Sequence, residues 1–246
     1  MRLFGLIGYP LEHSFSQKHF RTKFKDSNIL DVDYELYPID TIEKFPSVIT
    51  TNPGLAGLNV TIPYKEQVIQ FLDELDETAS EINAVNTIKI LRENDHVKTI
   101  GFNTDAYGFE ISLKPLLKAQ HKNALILGSG GASKAVSFVL QKLNIPYQIV
   151  SRESHADQLS YSDLPYIIND HPLIVNTTPV GTFPDTQHSP NIPYDLLDEN
   201  YLLYDLIYNP EETEFLKQGK AQGVVIKNGL EMLELQAEKA WEIWNN

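Results

Sequence analysis

The stretch Asn123-Ala124-Leu125-Ile126-Leu127-Gly128-Ser129-Gly130-Gly131-Ala132-Ser133 decides the fold of this chain. Its apolar first half predicts a buried strand, and the pattern over residues 132–143 predicts a helix. Residues 147–150 then predict a second strand. A strand, a glycine-rich turn, a helix and another strand form the βαβ unit that is typical of nucleotide-binding sheets.

The glycine-rich turn carries the chemistry of this unit. Gly128 permits the tight turn, and Gly130 lets the backbone approach a pyrophosphate. The helix N-terminus offers unpaired N–H groups and a positive dipole end to that anion. A tight turn without a ligand is the alternative. The strand and helix context favours a cofactor site whose candidate residues are Gly128, Ser129, Gly130, Gly131 and Ala132.

Composition limits the function classes. The chain has 246 residues, of which 42% are hydrophobic, enough for one large domain or two small ones. Its net charge of -13 argues against general nucleic-acid binding and against docking on anionic lipid. Cysteine is absent, so disulfides and thiolate sites are excluded, and the seven histidines show no metal-ligand spacing.

Compartment is inferred from the absence of targeting signals. No apolar run reaches transmembrane length. Residues 1–8 predict a first strand rather than a signal peptide, because Gly8-Tyr9-Pro10 ends the run early. A cytoplasmic location is therefore expected.

Strands and helices alternate along the chain, which predicts an α/β fold. The sharpest boundary follows Asp105. Before it, the patterns predict strands at residues 3–8, 33–39 (an edge strand) and 55–60, helices at 14–24 and 64–72, and paired strands at 84–91 and 97–102 around the turn at 93–96. After it, they predict helices at 107–118 and 229–244 and strands at 173–176, 202–206 and 224–227.

Two polar motifs lie in the first part of the chain. The first is Asn59-Val60-Thr61-Ile62-Pro63-Tyr64-Lys65, which offers an amide, a hydroxyl and an ammonium to a small polyhydroxylated ligand. A loop with a solvated lysine is the alternative interpretation. His13-Ser14-Phe15-Ser16 presents two hydroxyls, which project to one side if the backbone is extended. Ser16 as a helix cap is the alternative.

These motifs, together with residues 82–87, residues 101–105 and the glycine-rich turn, resemble the shikimate dehydrogenase family nearly end to end. Ser133, in place of a third glycine, matches the family's Gly-x-Gly-Gly-Ala-Ser form, whereas Gln17 replaces a frequent proline. Reduction of a ketone needs a hydride donor and a proton donor. The resemblance implies that Lys65 supplies the proton and that Asp105 is its carboxylate partner.

The same resemblance implies the remaining site residues. Ser14 and Ser16 would bind the substrate carboxylate. Leu206 would lie beside the nicotinamide, and Gly229 would contact the cofactor. The other implied substrate-binding residues are Asn59, Thr61, Asn86, Tyr208 and Gln236. Asn83, close to Asn86, is more typical of a turn residue.

The choice of dinucleotide depends on Val150-Ser151-Arg152-Glu153, at the end of the second strand of the βαβ unit. An arginine there pairs with the 2′-phosphate of NADP, whereas an acidic residue pairs with the ribose of NAD. Ser151 and Arg152 are thus candidate cofactor residues. Arg152 favours NADP, whereas Ser151 departs from the family's usual NADP pattern. Glu153 would repel the phosphate, and a solvated Arg152 is the alternative.

The sequence thus predicts two domains with a deep cleft between them. The substrate domain would comprise residues 1–105 and 229–246, and the Rossmann-type NADP domain residues 106–228. The predicted partner is a small molecule, shikimate or 3-dehydroshikimate, bound by a monomer or homodimer. A quinate/shikimate dehydrogenase that uses NAD and a nucleotide sensor without turnover are the rival hypotheses.

Overall fold

A computed structural model of the chain describes residues 1–11, 14–93, 96–152 and 158–246. His13, the turn residues Asn94 and Asp95, and Glu153 lie outside the described residues. The backbone divides into two compact units. Unit 1 comprises residues 1–104 and 237–246, and unit 2 comprises residues 105–236.

Unit 1 is an α/β unit built on a mixed sheet. Its elements are β1 (Arg2–Gly8), α1 (Phe15–Asp26), β2 (Val32–Pro38), α2 (Phe45–Thr51), β3 (Leu55–Val60), β4 (Glu74–Leu75), α3 (Glu77–Ile82), β5 (Thr87–Glu93) and β6 (His96–Phe102). The strand order is β2-β1-β3-β5-β6-β4. Strand β1 pairs in parallel with β2 and β3, whereas β5 is antiparallel to β3 and β6. The predicted edge strand is β2, which lies at one end of the sheet.

Alternate residues of β1 belong to two different apolar clusters of unit 1 among the residues that the structure describes. Ile7 belongs to a cluster with Leu58 and Ile88. Phe4 and Leu6 belong to another, which includes Phe20, Phe24, Tyr34 and Trp244. Because side chains alternate along a strand, both faces of the sheet are covered.

Unit 2 is an α/β unit with a wholly parallel sheet. Its elements are α4 (Thr104–Leu113, with Thr104 in unit 1), β7 (Ala124–Leu127), α5 (Gly131–Lys142), β8 (Tyr147–Val150), α6 (Leu164–Ile167), β9 (Leu173–Asn176), β10 (Leu202–Asp205), α7 (Glu214–Ala221), β11 (Val225–Lys227) and α8 (Leu230–Asn245, which enters unit 1 at Ala237). The strand order is β8-β7-β9-β10-β11. This is the doubly wound arrangement with a switch point between β7 and β9, where such folds bind ligands.

The predicted α/β class is confirmed, but two predicted helices differ in form. Residues 64–72 contain a 3-10 helix, Gln67–Phe71, instead of an α-helix. The carbonyl of Lys65 accepts a hydrogen bond from the Val85 N–H at 2.7 Å, so it does not serve a helix. Helix α4 starts at Thr104 and ends at Leu113, because Pro115 lacks an N–H donor. The segment 114–116 is 3-10.

Among the residues that the structure describes, no helix has the length and apolar character needed to cross a membrane.

The approach of Trp244 to β3 generates a stability prediction. A Cβ added at Gly57 would lie 2.3 Å from the Trp244 Nε1 atom, whose N–H donates to the Ile88 carbonyl at 3.0 Å. Gly57→Ala should lower the free energy of unfolding by about 1–3 kcal/mol through overpacking. Urea denaturation of both proteins measures the difference.

A Trp244→Phe background is the matched control. It removes part of the indole that the added methyl meets, so Gly57→Ala should cost less there. Equal costs in both backgrounds would show that the indole is not the obstacle.

Candidate active site

The candidate substrate residues of unit 1 gather at one edge of its sheet. Strands β1 and β3 run in parallel and end there, and β6 ends where β5 begins. The register pairs Asn59 with Thr87 and Thr87 with Phe102. Asn59, Thr61, Lys65 and Asn86 therefore lie at or just beyond this edge.

Asn59 and Asn86 are joined directly, and both are buried. The Asn59 Nδ2 group donates to the Asn86 carbonyl at 3.3 Å and to the Thr87 Oγ1 atom at 3.2 Å. The Thr87 hydroxyl in turn donates to the Asn86 Oδ1 atom at 3.2 Å. The two predicted asparagines thus belong to one hydrogen-bonded network.

Thr104 fixes the orientation of the Asn86 amide. Its backbone N–H donates to the Asn86 Oδ1 atom at 2.7 Å, and its hydroxyl lies 3.1 Å from the same oxygen. A backbone N–H can only donate, so the side-chain oxygen of Asn86 must face Thr104. The Asn86 NH2 group is consequently turned away from that side, and its donors point elsewhere.

The Ser14–Ser16 motif is only partly extended. Ser14 is the N-cap residue of α1 with extended backbone and makes no side-chain capping bond, whereas Ser16 lies in the first helical turn. The expectation of two hydroxyls aligned by an extended backbone is wrong, and so is the alternative that Ser16 is the cap. The reason is that the helix already begins at Phe15.

Tyr34 connects Ser16 with Asn59. Its hydroxyl donates to the Asn59 Oδ1 atom at 2.8 Å, and its ring is fully buried. Burial raises the pKa of Tyr34 above its ordinary value, and a hydrogen bond with the Ser16 side chain partly opposes that rise. Ser16, Tyr34 and Asn59 therefore form a continuous polar path within unit 1.

Thr61 and Lys65 follow β3 directly. The Thr61 N–H donates to the Ile7 carbonyl at 3.0 Å, and the Thr61 Cγ2 atom lies against Gly8. The Lys65 backbone is held beside Asn86 by the Val85 contact described above, and its side chain is half-buried. The turn after β3 thus brings an ammonium to the same edge as the asparagines.

The candidate cofactor residues of unit 2 lie along the carboxyl edge of its sheet. The register aligns Leu127 with Val150 and Asn176, and Asn176 with Asp205. Gly128, Ser151 and Leu206 each follow one of these aligned strand ends, and Gly229 follows β11 by two residues. A parallel sheet with this strand order binds ligands at that edge.

The glycine-rich turn has the properties expected of an anion-binding loop. Gly128 has a φ of +103°, and a Cβ there would lie 2.9 Å from the Thr177 Oγ1 atom, so glycine is required. A Cβ at Gly130 would meet no heavy atom within 4 Å. Helix α5 has no acidic residue in its first turn, so the positive end of its dipole is not neutralised locally. Ser129 is exposed, and Gly131 and Ala132 open the helix.

Ser151 and Arg152 follow β8. The Ser151 N–H donates to the Leu159 carbonyl at 2.9 Å, which holds the backbone directly after β8. Arg152 is exposed, and its charge opposes the rise that burial causes in the pKa of Tyr161. An exposed guanidinium directly after β8 can form an ion pair with a phosphate of the cofactor.

A buried carboxylate supports Leu206 and its neighbours. Asp205 is fully buried and accepts hydrogen bonds from the Thr213 hydroxyl at 2.6 Å, the Asn176 amide at 3.0 Å and the Ile207 N–H at 3.1 Å. Burial raises the pKa of Asp205 to about 6, against these bonds. The bonds tie the ends of β9 and β10 to the start of α7.

Leu206 and Gly229 are in close backbone contact. A Cβ at Gly229 would lie 2.0 Å from the Leu206 carbonyl oxygen, and the Gly229 N–H donates to the Ile207 carbonyl at 3.0 Å. Only glycine fits at this position. Tyr208, two residues after Leu206, is half-buried, and burial raises its pKa.

Asp105 and Gln236 are both buried residues of unit 2. Asp105 lies in the first turn of α4. Gln236 lies on α8, where its Nε2 group donates to the Leu233 carbonyl at 2.9 Å. Helices α4 and α8 approach closely, because a Cβ at Gly108 would lie 2.4 Å from the Met232 carbonyl oxygen.

Three side chains that were not among the predicted site residues connect those residues to one another. Tyr34, Thr87 and Thr104 join the predicted residues to one another in unit 1. Thr87 and Thr104 stand beside Asn86 and Asp105 in the quoted motifs, and this adjacency was the available signal. Asn83 ends α3 with a φ of 54°, which confirms its expected turn role.

Comparison with known proteins gives a consistent result. A family model described as "Shikimate dehydrogenase substrate binding domain" matches residues 6–88. The "Shikimate dehydrogenase (NADP(+))" of Methanococcus maripaludis strain C6 is 39% identical, with 99% of this chain and 91% of that protein covered.

Solved structures agree with this result. Shikimate 5-dehydrogenase from Thermus thermophilus, in complex with NADP(H) and shikimate, has a TM-score of 0.85 at 30% identity and covers 100% of this chain and 94% of that one. Quinate dehydrogenase from Corynebacterium glutamicum, in complex with NAD, has a TM-score of 0.86 at 25% identity, with coverages of 99% and 93%.

The buried Asp205 generates a pH prediction. Its pKa is raised from 3.8 to about 6, so the folded state holds the proton more tightly than the unfolded state does. This contribution to stability is fully present below pH ~4 and is lost as the pH rises through ~6, a change of about 3 kcal/mol. Asp205→Asn should remove it.

Urea denaturation from pH 4 to pH 8 gives the free energy of unfolding of both proteins. The difference, wild type minus Asp205→Asn, should fall across this range and level off above pH 7. A difference that stays constant, or that rises with pH, would contradict the raised pKa.

Proposed function

This chain belongs to the shikimate dehydrogenase family, and from that premise we propose that it catalyses the reversible, NADPH-dependent reduction of 3-dehydroshikimate to shikimate. The chain is an NADP-dependent oxidoreductase that acts on a CH–OH group, in the pathway to chorismate and the aromatic amino acids. The observation that carries the proposal is the match to an NADP-dependent relative over 99% of the chain.

The reaction needs two transfers. A hydride moves from NADPH to the ketone carbon, and a proton moves to the developing alkoxide, which gives shikimate and NADP. We assign the proton to the Lys65 ammonium, which also stabilises the negative charge on the oxygen. We assign Asp105 as the carboxylate that accepts a hydrogen bond from a substrate hydroxyl.

Substrate recognition follows from the donors at the edge of unit 1. Ser14 and Ser16 provide hydroxyls for the substrate carboxylate. Thr61 and Asn86 provide a hydroxyl and an amide for the ring hydroxyls, and the fixed orientation of Asn86 supports its role as a hydrogen-bond donor. Asn59 stands next to Asn86, and Tyr208 and Gln236 complete the proposed set.

Cofactor recognition is assigned to the carboxyl edge of unit 2. The turn Gly128–Ala132 binds the pyrophosphate, supported by the open space at Gly130. Ser151 and Arg152 hold the 2′-phosphate, and Leu206 and Gly229 contact the nicotinamide end. Residues 106–228 would thus serve as the NADP domain, and residues 1–105 with 229–246 as the substrate domain.

The wider biological setting stays a prediction. We expect a monomer or homodimer in the cytoplasm that binds small molecules and no nucleic acid, consistent with the acidic composition.

A specific observation favours one second candidate. The NAD-bound quinate dehydrogenase is as similar in fold as the shikimate enzymes are. Ser151 is also a departure from the usual NADP pattern of the family. Use of NAD, or oxidation of quinate, therefore belongs among the measured outcomes.

Initial rates of shikimate oxidation test the proposal. With NADP as cofactor, the wild type should turn over shikimate, and Lys65→Ala should lower kcat by about 10²- to 10⁴-fold because the general acid–base group is lost. Lys98→Ala removes an exposed lysine of the same unit, paired with Glu74 at 2.7 Å, and should leave kcat unchanged.

Quinate and NAD, at matched concentrations, complete the experiment. Turnover of quinate or a preference for NAD would instead identify the enzyme as a quinate/shikimate dehydrogenase. Nucleotide binding without any turnover would contradict the proposal and favour a sensor.

Arg152→Ala tests the cofactor assignment. A charge-assisted bond to the 2′-phosphate contributes about 1.5–3 kcal/mol, so KM for NADP should rise by roughly 10- to 100-fold while KM for NAD stays the same. Lys122→Ala, which removes another exposed cation from unit 2, should change neither value. Equal shifts for NAD and NADP would contradict phosphate recognition by Arg152.

A further inference from the structure

In the network around Asn59, each of the two amides has only one orientation that is consistent with its hydrogen bonds. Two backbone groups fix the ends of the network, since the Asn86 carbonyl can only accept and the Thr104 N–H can only donate. The Asn86 carbonyl therefore faces the Asn59 Nδ2 group, and the Thr104 N–H faces the Asn86 Oδ1 atom. The Asn59 Oδ1 atom must therefore face Tyr34.

Tyr34 is the donor that this arrangement requires. Its hydroxyl lies 2.8 Å from the Asn59 Oδ1 atom, and Asn59 is only 6% exposed. Without that hydroxyl, the amide oxygen would lose its donor in a buried site. An acceptor without a partner there is costly, and rotation of the amide would relieve it. Rotation would withdraw the Nδ2 group from Thr87 and from the Asn86 carbonyl.

The Tyr34 ring is itself held rigidly. It stacks on Phe20 with ring centroids 4.7 Å apart and an interplanar angle of 11°. Its backbone carbonyl accepts from the Gln17 Nε2 group at 3.0 Å, which ties β2 to α1. The hydroxyl is thus delivered to Asn59 by a side chain with little freedom to move.

We propose that Tyr34 is a positioning residue for substrate binding. Its hydroxyl orients the Asn59 amide, which in turn holds the Asn86 carbonyl and the Thr87 hydroxyl beside the amide that Thr104 orients. This inference rests on the proposed function, in which Asn86 contacts the substrate. Tyr34 itself contacts no reacting atom. Its effect passes through Asn59 and Thr87 to the donors that Asn86 presents to a substrate hydroxyl.

Tyr34→Phe tests the inference because it retains the ring and its stacking and removes only the hydroxyl. KM for shikimate should rise about tenfold, whereas KM for NADP should stay within twofold of the wild type. Tyr201→Phe is the matched control. It also removes a buried tyrosine hydroxyl, one that donates to the Ile168 carbonyl at 3.1 Å, and it should change neither KM.

Thr87→Val interrupts the path from Tyr34 through Asn59 and Thr87 to Asn86 at a second point. It also keeps the inference testable if Tyr34→Phe does not fold. It should raise KM for shikimate alone. In the double variant the two effects should not multiply, because each change breaks one path.

The outcomes separate this inference from the proposed function. If the wild-type protein does not turn over shikimate, the proposed function is wrong. Turnover with an unchanged shikimate KM in both single variants, or equal changes in both KM values, would overturn the positioning role alone. Fully multiplicative effects in the double variant would contradict a path through Asn59.

Discussion

A buried polar atom must have a hydrogen-bond partner, and this constraint shapes the functional edge of each unit. In unit 1, Asn59 and Asn86 satisfy one another's groups with help from Tyr34 and two threonines. In unit 2, Asn176 and Thr213 satisfy the carboxylate of Asp205. Each network crosslinks strand ends, so the loops that carry the candidate ligand-binding groups start from fixed positions.

The sequence was most informative where local pattern and backbone geometry agree. The strand at 124–127, the glycine at 128 and the helix after it follow from a continuous apolar run, from the access of glycine to positive φ and from the helical pattern, all of which are local properties of the sequence. The helix expected at 64–72 is shorter and of the 3-10 type, Gln67–Phe71, because a distant residue, Val85, binds the carbonyl of Lys65. Ser16 was misjudged because α1 begins at Phe15, two residues earlier than a Ser16 cap would require.

The site residues divide in the same way. Motifs that cluster in sequence, such as 59–65 and 83–87, indicated the candidate ligand-binding groups. Tyr34 carries no such signal, because its partner is 25 positions away and its strand pattern is that of an ordinary buried residue. Hydrogen bonds between distant strands depend on register, which the pattern of single strands does not specify.

The place of Trp244 has a consequence for how the protein is made. Its indole stacks on Phe4 with ring centroids 4.8 Å apart, so the first strand of the chain is covered by its last helix. Contacts between residues so far apart in sequence form late and slowly. On the ribosome, this aromatic core stays open until the C-terminal segment emerges, whereas every strand of the sheet of unit 2 has been synthesised earlier. The unit that starts first in the chain is therefore the one that finishes last.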